Sequence, residues 1–178
     1  MYMKAKAVFF DRDGVLNKDV AYLYKIEELE WVEGALEATT YLAQQGYKLF
    51  VVTNQSGIAR GYYTVADMER LHEHMQQAII RAGQKSGIEA KIERFYYCPH
   101  HPEGSVAEYT CHCSCRKPKP GMLLQAMEDY AIDREASFLI GDSRRDVEAA
   151  EAAGLRGFLF KEGSLLELVQ KIVEGEDL

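Results

Sequence analysis

The chain predicts an α/β fold: three layers, α/β/α, with a central, mostly parallel sheet covered by helices on both faces. Three observations predict it. Short runs rich in Val, Phe and Ile alternate with longer stretches of helical periodicity, the order that builds parallel strands joined by crossover helices. Several of those runs are apolar throughout, as strands buried on both faces must be. With 178 residues, 47% hydrophobic and 28% charged, the chain is long enough for one full core. A single domain over residues 1–178 is expected.

Taken in order, Lys6 to Asp11 reads as the first strand, a short Val/Phe run ended by a turn signal at Gly14. A loop with Tyr22, Tyr24 and Trp31 follows. Gly34 to Gln45 reads as a helix carrying Leu36, Thr40 and Leu42, stopped by Gly46. Tyr47 to Thr53 is the second strand, and it leads into the glycine-bearing loop Ser56 to Gly61. Thr64 with Asp67 has the spacing of a capping box, which opens a helix with Met68, Leu71, Met75, Ala78 and Ile79 on one face. Ile92 to Tyr97 is the third strand. Pro120 stands at the first position of a helix with an apolar face of Leu123, Leu124, Met127 and Tyr130. Ser137 to Asp142 is the fourth strand, Asp146 to Ala153 a short helix, Gly157 to Phe160 the last strand and Ser164 to Val173 the closing helix.

A formal net charge of −7 argues against nucleic acid as the main partner, because phosphate backbones are bound through clustered Lys and Arg. No apolar run approaches the ~20 residues of a membrane span. The first residues lack the apolar segment of a secretory signal, so a cytoplasmic location, where disulfides are rare, is expected. All four cysteines fall between Cys98 and Cys115, a spacing that favours metal over bridges.

Three of the strands finish in polar residues: Asp11 and Asp13, then Thr53 and Asn54, then Asp142 with Asp146 nearby. In a parallel sheet these ends share one edge, the edge where α/β proteins bind ligands. Converging carboxylates repel one another unless a cation sits among them. Hard oxygen donors in an open site suit Mg²⁺, which is commonly shared with a substrate phosphate. Arg116 and Lys117, just before another helix, add positive charge at the same edge. A hydroxyl, backbone N–H groups, a lysine and a magnesium ion together make a phosphate site. Asp11 is then a candidate nucleophile and Asp13 a candidate acid and base, which needs Asp13 protonated during part of the cycle.

The second cluster is Cys98-Pro99-His100-His101 and Cys111-His112-Cys113-Ser114-Cys115, seven potential ligands in two short groups a dozen residues apart. Structural zinc takes four from Cys and His. Spacing alone does not choose the four.

Asp11-Arg12-Asp13-Gly14-Val15-Leu16, Val52-Thr53-Asn54-Gln55, Lys117-Pro118 and Gly141-Asp142-Ser143-Arg144-Arg145-Asp146 resemble, in order, the motifs of the haloacid-dehalogenase (HAD)-like phosphatases, across nearly the whole chain. The resemblance implies a Rossmann-like core without a separate cap domain. It also implies Asp11 as nucleophile, Asp13 as acid/base, and Thr53 and Lys117 as phosphate holders. Asp11, the Asp13 carbonyl and Asp142 are its implied magnesium ligands, with Asp146 in support. Thr-Asn-Gln-Ser-Gly-Ile-Ala-Arg-Gly, Cys-Pro-His-His-Pro and Cys-Arg-Lys-Pro-Lys-Pro-Gly-Met are similar to the heptose bisphosphate 7-phosphatase subgroup. That likeness picks Cys98, His100, Cys113 and Cys115 for a structural zinc, with Cys111 as the competing ligand.

With no cap, substrate selection is expected from the loops Ser56 to Gly61 and Val106 to Arg116. Asn54, Gln55 and Ser56 join Thr53 and Lys117 as expected substrate contacts, and Arg60 and Arg116 suit a second phosphate because arginine binds phosphate bidentately. The implied enzyme is a magnesium-dependent, monomeric phosphomonoesterase acting on a phosphorylated sugar. Histidinol phosphate is the competing substrate within the superfamily, and a zinc-stapled binding module is the competing class. Subgroup members often have lysine after the last-motif aspartate, where this chain has Ser143.

Overall fold

Strand β1, Ala7–Phe10, has all four side chains buried. In the computed structural model, which describes residues 4–176, it is flanked by β2 (Lys48–Asn54) and β4 (Phe138–Gly141). Strands β3 (Ile92–Cys98) and β5 (Arg156–Leu159) complete a five-stranded sheet of order β3-β2-β1-β4-β5, parallel at every pairing. The connections carry helices α1 (Ala35–Gln44), α2 (Val65–Lys85), α3 (Gly121–Asp129), α4 (Arg144–Ala152) and α5 (Leu165–Glu174). The three-layer α/β/α expectation is met.

Side-chain alternation sends β1 into two cores. Val8 and Phe10 pack with Leu42, Leu71 and Val169 of α1, α2 and α5 on one face. Ala7 and Phe9 pack with Leu123, Ala126 and Ala149 of α3 and α4 on the other, where Phe9 stacks on Phe50 at 5.2 Å. Each buried Phe stabilises the fold by about 1.5–3 kcal/mol. Both faces being apolar explains why these strands read as unbroken hydrophobic runs.

Three expectations need correction. Pro120 is the N-cap of α3 instead of its first residue. The helix therefore turns Met122, Leu123 and Ala126 inward, while Leu124 is 38% exposed. Helix α4 begins at Arg144, not Asp146, because the Ser143 N–H (3.0 Å) and hydroxyl (2.7 Å) both donate to Asp146 Oδ2 and cap the helix from outside. Thr64 and Asp67 do the same for α2, as expected. Among the described residues no helix is long and apolar enough to cross a membrane.

Candidate active site

The ends of β1, β2 and β4 do meet. Asp11 follows β1 directly, and Lys117 reaches it from the segment before α3: Lys117 Nζ lies 2.9 Å from Asp11 Oδ1, 2.7 Å from Asp146 Oδ1 and 2.8 Å from the Val52 carbonyl. One carboxylate oxygen each from Asp11, Asp142 and Asp146 lies within 4.8 Å of the others, a spacing that could hold a cation. Two glycines permit this closeness. A Cβ on Gly14 (φ +85°) would run into the Asp142 carboxylate, and one on Gly141 into the Asp146 side chain.

The electrostatics follow from burial. Burial pushes the Asp11 carboxyl up to about 7, with Lys117 pulling against it and Asp146 adding to it. Burial also opposes charge on Lys117, yet Asp11 and Asp146 hold its pKa above the ordinary lysine value. Asp142 is raised by burial and by the neighbouring Asp146. Asp146 itself is held low, because Lys117 and the two Ser143 donors outweigh its burial.

Asp13 stands apart from the cluster. Its Oδ1 accepts from Arg12 Nε (3.3 Å), Arg12 Nη2 (3.0 Å) and Asn17 Nδ2 (3.0 Å), and its Oδ2 accepts from Gln55 Nε2 (3.0 Å). Arg12 is fully buried and also donates to the Leu23 carbonyl (2.7 Å) and to His72 Nε2 (3.2 Å), so His72 carries its hydrogen on Nδ1. The turn itself is closed by the Arg12 carbonyl, which accepts from the N–H groups of Val15, Leu16 and Asn17.

A pocket of about 340 Å³ opens at this edge and is lined by Asp11, Asp13, Asp142 and Lys117 together with Asn54, Gln55, Ser56, Arg60 and Arg116. Thr53 does not line it. Its side chain is buried, and its Oγ1 accepts from Gln55 Nε2 (2.8 Å). Asn54 turns toward Lys117: Asn54 Nδ2 donates to the Lys117 carbonyl (3.1 Å) and Asn54 Oδ1 accepts the Lys117 N–H (3.0 Å). This two-point clamp fixes the Lys117 backbone to the end of β2. Gln55 bridges Asp13 and Thr53 through its amide nitrogen and accepts the Tyr63 hydroxyl on its oxygen.

The four expected Cys/His ligands come together as a group, whereas Cys111 is exposed and outside it. Cys98 Sγ lies 3.6 Å from Cys113 Sγ and 3.0 Å from Cys115 Sγ, and His100 Nδ1 lies 3.6 Å and 3.4 Å from the Cys98 and Cys115 sulfurs. Tetrahedral zinc with bonds of about 2.3 Å sets its sulfurs roughly 3.8 Å apart, close to this arrangement, whereas a disulfide needs about 2.0 Å. Sharing a hydrogen with Cys98 brings the Cys115 thiol down to about 5, burial opposing.

Arg12, Asn17, Tyr63, His72 and Arg145 belong to the site or its support and escaped the sequence reading. The signal for Arg145 was Ser143-x-x-Asp146, the same spacing as Thr64-x-x-Asp67, which puts Arg145 in the first turn of α4 at the pocket.

A strand-end aspartate pair on this sheet, with a lysine fixed between carboxylates, belongs to the HAD-like phosphatases as a class, and residues 114–171 match the HAD-hydrolase-like family profile. The D-glycero-beta-D-manno-heptose-1,7-bisphosphate 7-phosphatase of Salmonella typhi is 43% identical over 155 residues, 87% of this chain and 79% of its own. The same-named protein of Pasteurella multocida is 44% identical over 151 residues, 85% of this chain and 78% of its own. This chain belongs to that phosphatase family. A D,D-heptose 1,7-bisphosphate phosphatase from B. bronchiseptica, solved with magnesium and phosphate, superposes with a TM-score of 0.80 at 29% identity, covering 96% of this chain and 99% of that one.

Proposed function

We propose that the chain hydrolyses the 7-phosphate of D-glycero-D-manno-heptose 1,7-bisphosphate through an aspartyl-phosphate on Asp11. The observation that carries this reading is one 340 Å³ pocket lined both by the strand-end carboxylates and by Arg60 and Arg116. One set suits the phosphate being cleaved and the other a second phosphate.

Asp11 attacks phosphorus, and the bond to the sugar oxygen breaks. Asp13 gives its proton to the departing alkoxide, then takes one from the water that attacks the aspartyl-phosphate, releasing inorganic phosphate and Asp11. Lys117 holds the transferring phosphoryl group, and Asn54 sets where Lys117 sits. Thr53, expected as a second phosphate holder, lies beneath the pocket lining and acts through Gln55, which holds both Asp13 and Thr53. Ser56 lines the same pocket as a substrate contact.

The donor set fits magnesium: Asp11, Asp142 and the Asp13 carbonyl are hard oxygens, and the buried Asp146 Oδ1 beside them has no aligned hydrogen-bond donor, although Lys117 is its ion-pair neighbour. Held by those residues, magnesium would supply positive charge against the transferring phosphoryl group. Cys98, His100, Cys113 and Cys115 fit a structural zinc with four protein ligands, which leaves no open position for chemistry. The reading places the enzyme in the bacterial cytoplasm, since a cluster of reduced cysteines suits a reducing compartment.

The test is turnover of heptose 1,7-bisphosphate and histidinol phosphate side by side with Mg²⁺. The expected result is one phosphate released per heptose bisphosphate, leaving the 1-phosphate. Faster hydrolysis of histidinol phosphate overturns the reading.

A further inference from the structure

We propose that Arg145 completes, with Arg60 and Arg116, an anion site for the phosphate that is not cleaved, and thereby selects sugar bisphosphates over monophosphates. The inference rests on the proposed function and concerns a residue outside the recognised motifs' catalytic positions.

The three arginines line the pocket that holds the carboxylates. Among the described residues none of them has a carboxylate at ion-pair distance, although Arg144, next to Arg145, pairs with Glu148 at 3.0 Å. Two buried guanidinium nitrogens, Arg60 Nε and Arg116 Nη1, have no hydrogen-bond partner. Arg60 Nη2 does lie 3.3 Å from His101 Nε2, but His101 Nδ1 already accepts the Glu103 N–H (3.1 Å). A neutral imidazole accepts at one nitrogen only, so His101 Nε2 carries a hydrogen and offers Arg60 nothing. Like charges crowd here as well. Arg60, Arg116 and Arg145 all face the same pocket. Buried donors without acceptors are costly, and three guanidiniums facing one pocket add to that cost. A dianionic phosphate relieves both.

The reacting phosphate has its own holder in Lys117, so the arginines are left for the other one. Arg145 is distinct among them because it stands on α4 and not on a substrate loop. The first turn of α4, capped by Ser143 and Asp146, thus carries a guanidinium at the same pocket as Asp142.

The experiment measures kcat and KM of the full chain with Mg²⁺ on heptose 1,7-bisphosphate and on heptose 7-phosphate. Variants are R145Q, R145K and, as a control outside the pocket, R144Q. The wild type should favour the bisphosphate in KM. R145Q should raise KM for the bisphosphate about tenfold, the loss of one charge-assisted phosphate contact, and collapse the KM ratio between the two substrates. R145K should restore part of that ratio as a point charge, and R144Q should leave it as in the wild type. A KM ratio in R145Q equal to the wild type's, or the same rise in KM for both substrates, overturns the proposal. A wild type that hydrolyses both heptose phosphates equally slowly and histidinol phosphate faster defeats the functional reading, and this proposal with it.

Discussion

Lys117 and Arg116 are neighbours in the chain with opposite surroundings. Lys117 Nζ has oxygens at 2.7, 2.8 and 2.9 Å, and its backbone is clamped by Asn54. Arg116 has a buried Nη1 with no partner and two other arginines for company. The carboxylate cluster finds its partners within the protein, whereas Arg60 and Arg116 each keep a buried nitrogen with none. Groups that stabilise a transition state work best when fixed beforehand, because no reorganisation is then needed during the reaction. Groups that select a ligand gain discrimination when their hydrogen-bonding capacity stays open, since a ligand lacking the matching anion leaves them unsatisfied.

The largest effect expected is from D11N. It is nearly isosteric and removes the nucleophile from the preassembled cluster, so Mg²⁺-dependent phosphate release should fall by about 10⁴-fold or more. Circular dichroism should show an intact fold. Retained turnover would end the assignment of chemistry to the carboxylate side.

C115S tests the joint between the two clusters. Cys115 precedes Arg116 and Lys117, so a metal held by Cys98, His100, Cys113 and Cys115 positions both at once. Losing one ligand should release the metal, detectable by elemental analysis, and destabilise the protein by ~3 kcal/mol in denaturant unfolding. Both kcat and KM should worsen, because both sides are displaced. Full activity in metal-free protein would uncouple the loop from the pocket.

Strand ends carry their meaning in the sequence because an apolar run that stops at a carboxylate is itself improbable on energetic grounds. The gathering of Asp11 and Asp142 at one edge was legible for that reason, and the grouping of Cys98, His100, Cys113 and Cys115 through the motif resemblance. The hydrogen-bonding duties of Asn54, Gln55 and Arg12 were not legible. An amide or guanidinium can pair with many groups, and only the folded geometry picks Lys117, Asp13 or His72. Thr53 illustrates the same limit: it stands one residue before the end of β2, which runs to Asn54, and its side chain lies beneath the pocket lining, bonded by Gln55. Missing the Ser143 cap displaced the start of α4, and with it Arg145 from view.

N54A sharpens the contrast between a fixed and an open group. Removing the clamp leaves Lys117 chemically intact but lets its backbone drift, so kcat should drop about tenfold to a hundredfold, as when a supporting contact is lost. KM for the bisphosphate should change little, the reverse of R145Q. Equal effects on kcat and KM would mean that the two clusters are not separable.

The smallest effect concerns how far the preassembly reaches behind Asp13. His72 is 5% exposed, stacked on Phe95 at 4.5 Å, and accepts from Arg12; burial first and the Arg12 charge second bring its pKa down to about 3. In the unfolded chain the same imidazole takes up a proton near pH 6.5, so between those two values the unfolded state binds more protons than the folded one. Folding stability from this group is therefore complete above pH 6.5 and declines as the pH falls below it, by up to about 1.4 kcal/mol per unit. H72Q retains an acceptor for Arg12 but does not titrate. Urea unfolding between pH 7.5 and 5 should show a shallower decline for H72Q than for the wild type, by about 1 kcal/mol at pH 5.5. Parallel curves would mean that the ring is protonated in the folded state, in which case His72 Nε2 could not accept from Arg12 and Asp13 would lose one of the constraints on its orientation.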